Sequence, residues 1–201
     1  YVFDDLNELQ AEKIFAGLNA ENSEIWWFYP SSTSATNNRY VVYNYLEKVW
    51  YYGTLERTAW VDRGIFTRPI AASPDYYLYN HEEGFDDGST SPASPISSYI
   101  KSSPIDIQDG ENFSFISRML PDVGFRDSTA ETPNVDITTE IKNSVGGSYS
   151  KSTISNISSS TEQVRLRLRG RQFNVRVESD DLGVSWRLGS LRYDLRMDGR
   201  R

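Results

Sequence analysis

Val164-Arg165-Leu166-Arg167-Leu168-Arg169 alternates without a break, each apolar residue followed by an arginine. A period of two is that of a β-strand, whose successive side chains point to opposite faces. The run therefore reads as a half-buried strand with all its charge on one surface. Residues 172–178 and 184–197 read as the strands that complete a meander with it, across a turn at 179–183. Upstream, residues 134–143 alternate less regularly, and 144–160 form a Ser-rich stretch with Gly146-Gly147, a hairpin tip or a mobile loop. The last third thus reads as an antiparallel sheet or sandwich over 134–201.

Charge divides along the same line. The net charge is −7, yet residues 162–201 hold ten Arg against six acidic residues, while residues 1–161 hold 11 Lys and Arg against 22 Asp and Glu. A basic strip sits on an acidic body. Every cation in the strip is Arg, the side chain suited to bidentate contacts with carboxylate or phosphate. Arg165, Arg167 and Arg169 form the candidate contact ladder, joined by Arg171. Arg176 widens it, and Glu178, Asp180 and Asp181 partly cancel it. One reading of the ladder is a solvated edge strand whose charge deters edge pairing. The other is a surface for an acidic protein partner, or for DNA in a central channel bound without sequence specificity.

Residues 121–133 mix Pro, Gly, Asp, Ser and Thr and read as a linker or long loop after a first region at 1–120. In that region a polar stretch at 4–12 suits one or two helical turns. Residues 13–18, 24–29, 39–45 and 49–53 read as four strands between Asn-, Ser- and Pro-rich turns. Four antiparallel strands in about 40 residues is the size of one propeller blade. Tyr40-Val41-Val42-Tyr43-Asn44-Tyr45, the turn Leu46-Glu47-Lys48 and Trp50 beyond it resemble a kelch-type blade. A looser unit follows, with strands at 58–61, 68–72 and 76–80 and an exposed loop at 82–95. Further strands at 99–107 and 112–117 flank Gln108-Asp109-Gly110-Glu111, and Asp-Gly between two strand runs signals a hairpin. Tyr1 already lies in a strand-like pattern, so the chain reads as a fragment or processed product whose true amino terminus is missing.

Composition narrows the chemistry. Aromatic residues reach 13%, with thirteen Tyr, nine Phe and five Trp, so large flat side chains supply most of the core of an all-β fold. Cysteine is absent, which removes disulfides, thiolate metal sites and cysteine nucleophiles. No apolar run is long enough to span a membrane as a helix. His81, the only histidine, reads as a solvated side chain at a strand end rather than a catalytic base. Asp86-Asp87-Gly88 and the acidic run 106–111 miss the twelve-residue calcium-loop spacing, so no metal and no cofactor is assigned. Trp26-Trp27-Phe28-Tyr29 reads as strand core, apolar on both faces, rather than as a stacking platform.

Tyr1-Val2-Phe3-Asp4-Asp5-Leu6-Asn7, Glu24-Ile25-Trp26-Trp27-Phe28-Tyr29, the 39–45 strand with Trp50, Arg57-Thr58-Ala59-Trp60-Val61-Asp62-Arg63 and Leu78-Tyr79-Asn80-His81-Glu82 resemble a family of bacteriophage tail proteins. These are the β-propeller tail hubs or nozzles of short-tailed phages, of the packaged-DNA-stabilisation type. The likeness covers about the first 85 residues and returns only at Trp186-Arg187-Leu188-Gly189. It implies a virion structural component and no catalytic residues. Such a component forms a homo-oligomeric ring below the portal and adaptor, contacts other tail subunits and fibres, and helps retain and eject the genome. Two rival readings are a carbohydrate-binding receptor module using Trp60 or Trp186, and a polysaccharide-degrading enzyme built on two carboxylates in an aromatic-walled groove.

Overall fold

The structure, a computed structural model, describes residues 1–107 and 110–199. It is all-β, with antiparallel sheets and two short helical segments at Val2–Asp5 and Glu8–Lys13. Two compact units are present, Tyr1–Glu83 and Gly84–Arg201.

The first unit opens with β1 (Phe15–Asn19), β2 (Glu24–Tyr29), β3 (Arg39–Asn44) and β4 (Val49–Thr54), an antiparallel meander in chain order. Alternation decides its faces. Gly17 pairs with Trp26, Trp26 with Val42 and Val42 with Tyr51, so these stand on one side. Phe28 and Val42 are fully buried there and Trp26 nearly so, with Phe15, Tyr40, Leu55 and Trp60 packed around them. Trp60 comes from a second small sheet, β5 (Ala59–Val61), β6 (Ile70–Ala72) and β7 (Leu78–Asn80). Its ring stacks on Trp26 and lies tilted against Phe28, centroids 5.4 and 5.8 Å away, and its Nε1 donates to the Leu18 carbonyl at 2.8 Å. The approach requires glycine at 17, because a Cβ there would lie 2.6 Å from the indole.

The second unit is a two-sheet sandwich. Its strands are β8 (Asp86–Asp87), β9 (Ser94–Pro95), β10 (Ser98–Lys101), β11 (Ile105–Asp106), β12 (Ser114–Leu120), β13 (Val123–Gly124), β14 (Asn134–Lys142), β15 (Tyr149–Ser158), β16 (Val164–Gly170), β17 (Gln172–Ser179), β18 (Arg187–Leu188) and β19 (Arg192–Met197). One sheet runs β10-β17-β14-β15, with β11 also on β17, and the other runs β16-β12-β19. Val135, Ile137, Ile141, Ile157, Phe173 and Val177 from the first meet Ile116, Met119, Leu166 and Leu168 from the second in one core. Each such side chain stabilises the sandwich by about 1.5–3 kcal/mol on burial.

Several local expectations give way to long-range pairing. β16 and β17, consecutive in sequence, do not continue one meander: they lie in opposite sheets, and β19 pairs with β12. The chain crosses at Gly170, where a Cβ would sit 3.0 Å from both the Ile141 side chain and the Lys142 carbonyl, and the Arg171 N–H donates to that carbonyl at 2.9 Å. The strands flanking 108–111 do not pair with each other, since β11 joins β17 and β12 joins β16 and β19. The Asp-Gly turn expected there includes residues 108 and 109, which lie outside the described residues. The stretch 121–133 falls inside the second unit, and its β13 pairs with β18. Within 144–160, a ten-residue strand, β15, pairs along β14.

Candidate functional site

β16 is an edge strand of the sheet β16-β12-β19. Leu166 and Leu168 point into the core, so Arg165, Arg167 and Arg169 stand on the outer face, as the strict alternation requires. The neighbouring strands enlarge that face. Phe115 on β12 pairs with Arg169 on one side and Arg196 on the other; Arg118 pairs with Arg165 and Asp194; Leu120 pairs with Arg192. Both Ile116 and Met119 are buried although three residues apart, which a regular strand cannot do. A register shift between Ile116 and Arg118 restores the phase and leaves Arg118 outward. Arg118, Arg165, Arg167, Arg169, Arg192 and Arg196 therefore share one sheet face with the acids Asp194 and Asp198.

Part of this charge is held in place. Arg169 forms an ion pair with Asp198 and lies 4.1 Å over the Phe113 ring; Arg118 pairs with Asp194 at 2.7 Å and donates to Gln163 at 3.1 Å. Arg165, Arg167, Arg192 and Arg196 are not so held. They form no ion pair with any described residue, and all four are exposed. Lys151 Nζ caps the Arg167 carbonyl at 2.9 Å and so covers part of the open edge of β16.

The other residues named from sequence separate from the ladder. Arg171 belongs to the crossover after Gly170; its guanidinium lies 4.7 Å over the same Phe113 ring, which places it at the ladder's end. Arg176 does not widen the face, because β17 lies in the opposite sheet, where Arg176 pairs with Glu178 at 2.7 Å and covers Tyr99. Glu178 sits in that opposite sheet too, with Asp180 and Asp181 just past its end, so none of the three stands among the arginines. Arg192 and Arg196 were legible in principle. Arg192-Tyr193-Asp194-Leu195-Arg196-Met197 alternates exactly as 164–169 does. Only the register of β12 joins them to the same surface.

The first unit holds the remaining chemistry-bearing groups. His81 is not a solvated strand end: its ring lies tilted against that of Trp60, centroids 4.7 Å apart, and its Nε2 accepts from Arg57 Nε at 2.9 Å. Burial, then the Arg57 charge, lowers its pKa to about 4. Folding thus keeps His81 neutral, whereas the unfolded chain takes up a proton near pH 6.5. The stability this gives is complete above pH 6.5 and is lost as pH falls from there through 4, about 2 kcal/mol after allowance for partial exposure. Glu82 acts in the opposite sense, its pKa raised by burial and then by Glu24. A denaturation series of the first unit at pH 7, 5 and 4, for wild type and His81→Gln, isolates the histidine: the variant is expected to lose less stability on acidification, and equal losses would refute the assignment.

Glu24 and Glu82 both accept from Asn19 Nδ2, at 3.2 and 3.3 Å. Glu24 also accepts from Trp26 Nε1 at 3.1 Å, and Glu82 from Asn22 Nδ2 at 3.0 Å. These bonds fasten the β1–β2 turn to the end of the second small sheet. Trp60 is a packing residue, and Trp186 joins the second core while donating to Ser98 Oγ at 3.0 Å. The exposed tryptophan is Trp50, on the other face of β4, stacked on Trp27 and tilted against Tyr43. No protein-family model matches the chain, and no curated protein matches it.

Proposed function

We propose that this chain is a structural module of a virion, of the phage tail hub or nozzle kind, whose arginine face docks an acidic partner subunit. The observation that carries the docking role is the outer face of β16-β12-β19, where Arg165, Arg167, Arg192 and Arg196 are exposed without ion pairs to described residues. Unneutralised guanidiniums converging on a rigid sheet steer and orient an oppositely charged surface. Arg rather than Lys suits such a role because its planar fork binds carboxylates two bonds at a time.

The first unit is read as one propeller blade and the beginning of the next. A four-stranded meander followed by a second antiparallel sheet whose first strand, β5, lies against β1 supports that reading. The aromatic strand cores are where the sequence resembles the tail proteins, which supports the virion setting. Particles assembled with Arg165→Gln, Arg167→Gln and Arg169→Gln together are expected to incorporate the chain at least ~10-fold less well and to retain less DNA, with the circular dichroism of the purified chain unchanged. Wild-type incorporation would overturn the reading.

A second reading rests on Trp50, 63% exposed and backed by Trp27 and Tyr43, with ring centroids 5.8 and 4.6 Å away. A ring so presented suits a sugar face. Glycan-array binding abolished by Trp50→Ala would favour a receptor-recognition module instead.

A further inference from the structure

β16 is paired along one edge only. Its Gly170 and Leu168 stand opposite Ser114 and Ile116 of β12. Phe113, the residue before Ser114, turns its N–H and carbonyl the other way, to Gly199 and Asp198. Backbone groups alternate between the two edges of a strand, so those of Ser114 and Ile116 face Gly170 and Leu168, and those of Arg165 and Arg167 face the open edge. The Arg167 carbonyl agrees with this, because it accepts from a side chain, Lys151 Nζ, at 2.9 Å. The N–H groups of Arg165 and Arg167 have no partner among the described residues. Lys151 stands opposite Ile141, on the core side of β15, and so reaches the β16 edge across the open side of the sandwich.

An open strand edge is a template for another strand, and here charge decides which strand. A second β16 laid against the first would set arginines opposite arginines, and like charges in that position repel. A strand with a carboxylate at every second residue does the reverse. Its acidic side chains stand about 5 Å from Arg165 and Arg167 at the Cβ atoms, within reach of bidentate pairing. We propose that the acidic partner of the arginine face docks as an extended strand added antiparallel to the open edge of β16. Its N–H and carbonyl groups bond those of Arg165 and Arg167, its alternate carboxylates pair with the two guanidiniums, and Lys151 gives up the Arg167 carbonyl as the strand arrives. This rests on the reading of the arginine face as a docking surface and names the form its partner takes. The charge that repels a like edge is the charge that selects an acidic one.

The probe is a capped, fluorescently labelled peptide of about ten residues alternating Glu and Thr, titrated with the full chain by anisotropy at an ionic strength of about 50 mM. Two further peptides of identical charge carry backbone N-methyl groups, one on its central Glu residues and the other on its central Thr residues. Directly opposed residues that exchange both bonds in an antiparallel pair also share a face, so the Glu amides must meet Arg165 and Arg167 while the Thr amides point to solvent. The unmethylated and Thr-methylated peptides are expected to bind, and the Glu-methylated peptide to bind at least ~10-fold more weakly. Hydrogen exchange at the Arg165 and Arg167 amides is expected to slow in the complex, and R165Q/R167Q to lower affinity for the unmethylated peptide at least ~10-fold. Equal affinities for the two methylated peptides would show that charge alone suffices and would overturn strand addition. Unchanged exchange at both arginine amides overturns it as well, and so does an unmethylated peptide that does not bind. The docking reading falls by a different result, particle incorporation indifferent to the arginines.

Discussion

Replacing Trp60 by alanine is expected to destabilise the first unit by about 3–5 kcal/mol, enough to unfold it near room temperature while the second unit stays folded. The indole is the piece of the second small sheet that enters the aromatic cluster. It stacks on Trp26, packs tilted against Phe28 and His81, and bonds the Leu18 carbonyl. Truncation removes the apolar contacts, leaves a cavity over Gly17 and exposes the face of His81. Trp60→Phe keeps a ring but loses the Nε1 bond, so a smaller loss of about 1–2 kcal/mol is expected. Gly17→Ala reaches the same contact from the opposite side and must displace the indole. Two-stage denaturant unfolding, followed by near-ultraviolet circular dichroism, would measure all three. A normal first transition in Trp60→Ala would show that Trp60 is not a packing residue and would reopen a ligand-binding role for it.

Leu168→Ala is expected to cost the second unit about 2–5 kcal/mol, whereas Arg167→Ala, one residue away, is expected to change stability by no more than about 0.5 kcal/mol. Leu168 is fully buried in the core shared by the two sheets, and Arg167 stands in solvent on the outer face. The pair also separates fold from function. Arg167→Ala should weaken partner docking at unchanged thermal stability, and Leu168→Ala should weaken it only by unfolding the sheet that carries the arginines. Equal stability losses at the two positions would mean that the strand is not half-buried. Binding measured well below each variant's melting temperature keeps the two effects apart.

The legible part of the site was the part written within one strand. Arg165, Arg167 and Arg169 could be placed on a common surface from their spacing alone, because alternation is a local property of extended backbone. Arg118 could not, since its outward position depends on the register shift that lets Ile116 and Met119 both reach the core. His81 carried no local mark of burial either: its partners Arg57 and Trp60 lie more than twenty residues away in sequence and meet it only through the pairing of β5, β6 and β7. Arg176 looked like a neighbour of the ladder and is not, because Gly170 sends the chain into the other sheet.

What the amino-acid sequence determined unaided is what depends on adjacent residues: a β-rich chain with aromatic strand cores, four front strands in meander order, and a strand with one arginine side. What only the tertiary structure decided is which strands are partners. The pairing of β12 with β16 and β19, the sandwich closed by β14 and β17, and the gathering of six arginines on one sheet face all arise from contacts between distant residues. Hydrogen bonding along a strand edge is nearly indifferent to side-chain identity. The choice of partner is therefore made by the joint fit of buried side chains from both sheets, a condition no single stretch of sequence contains.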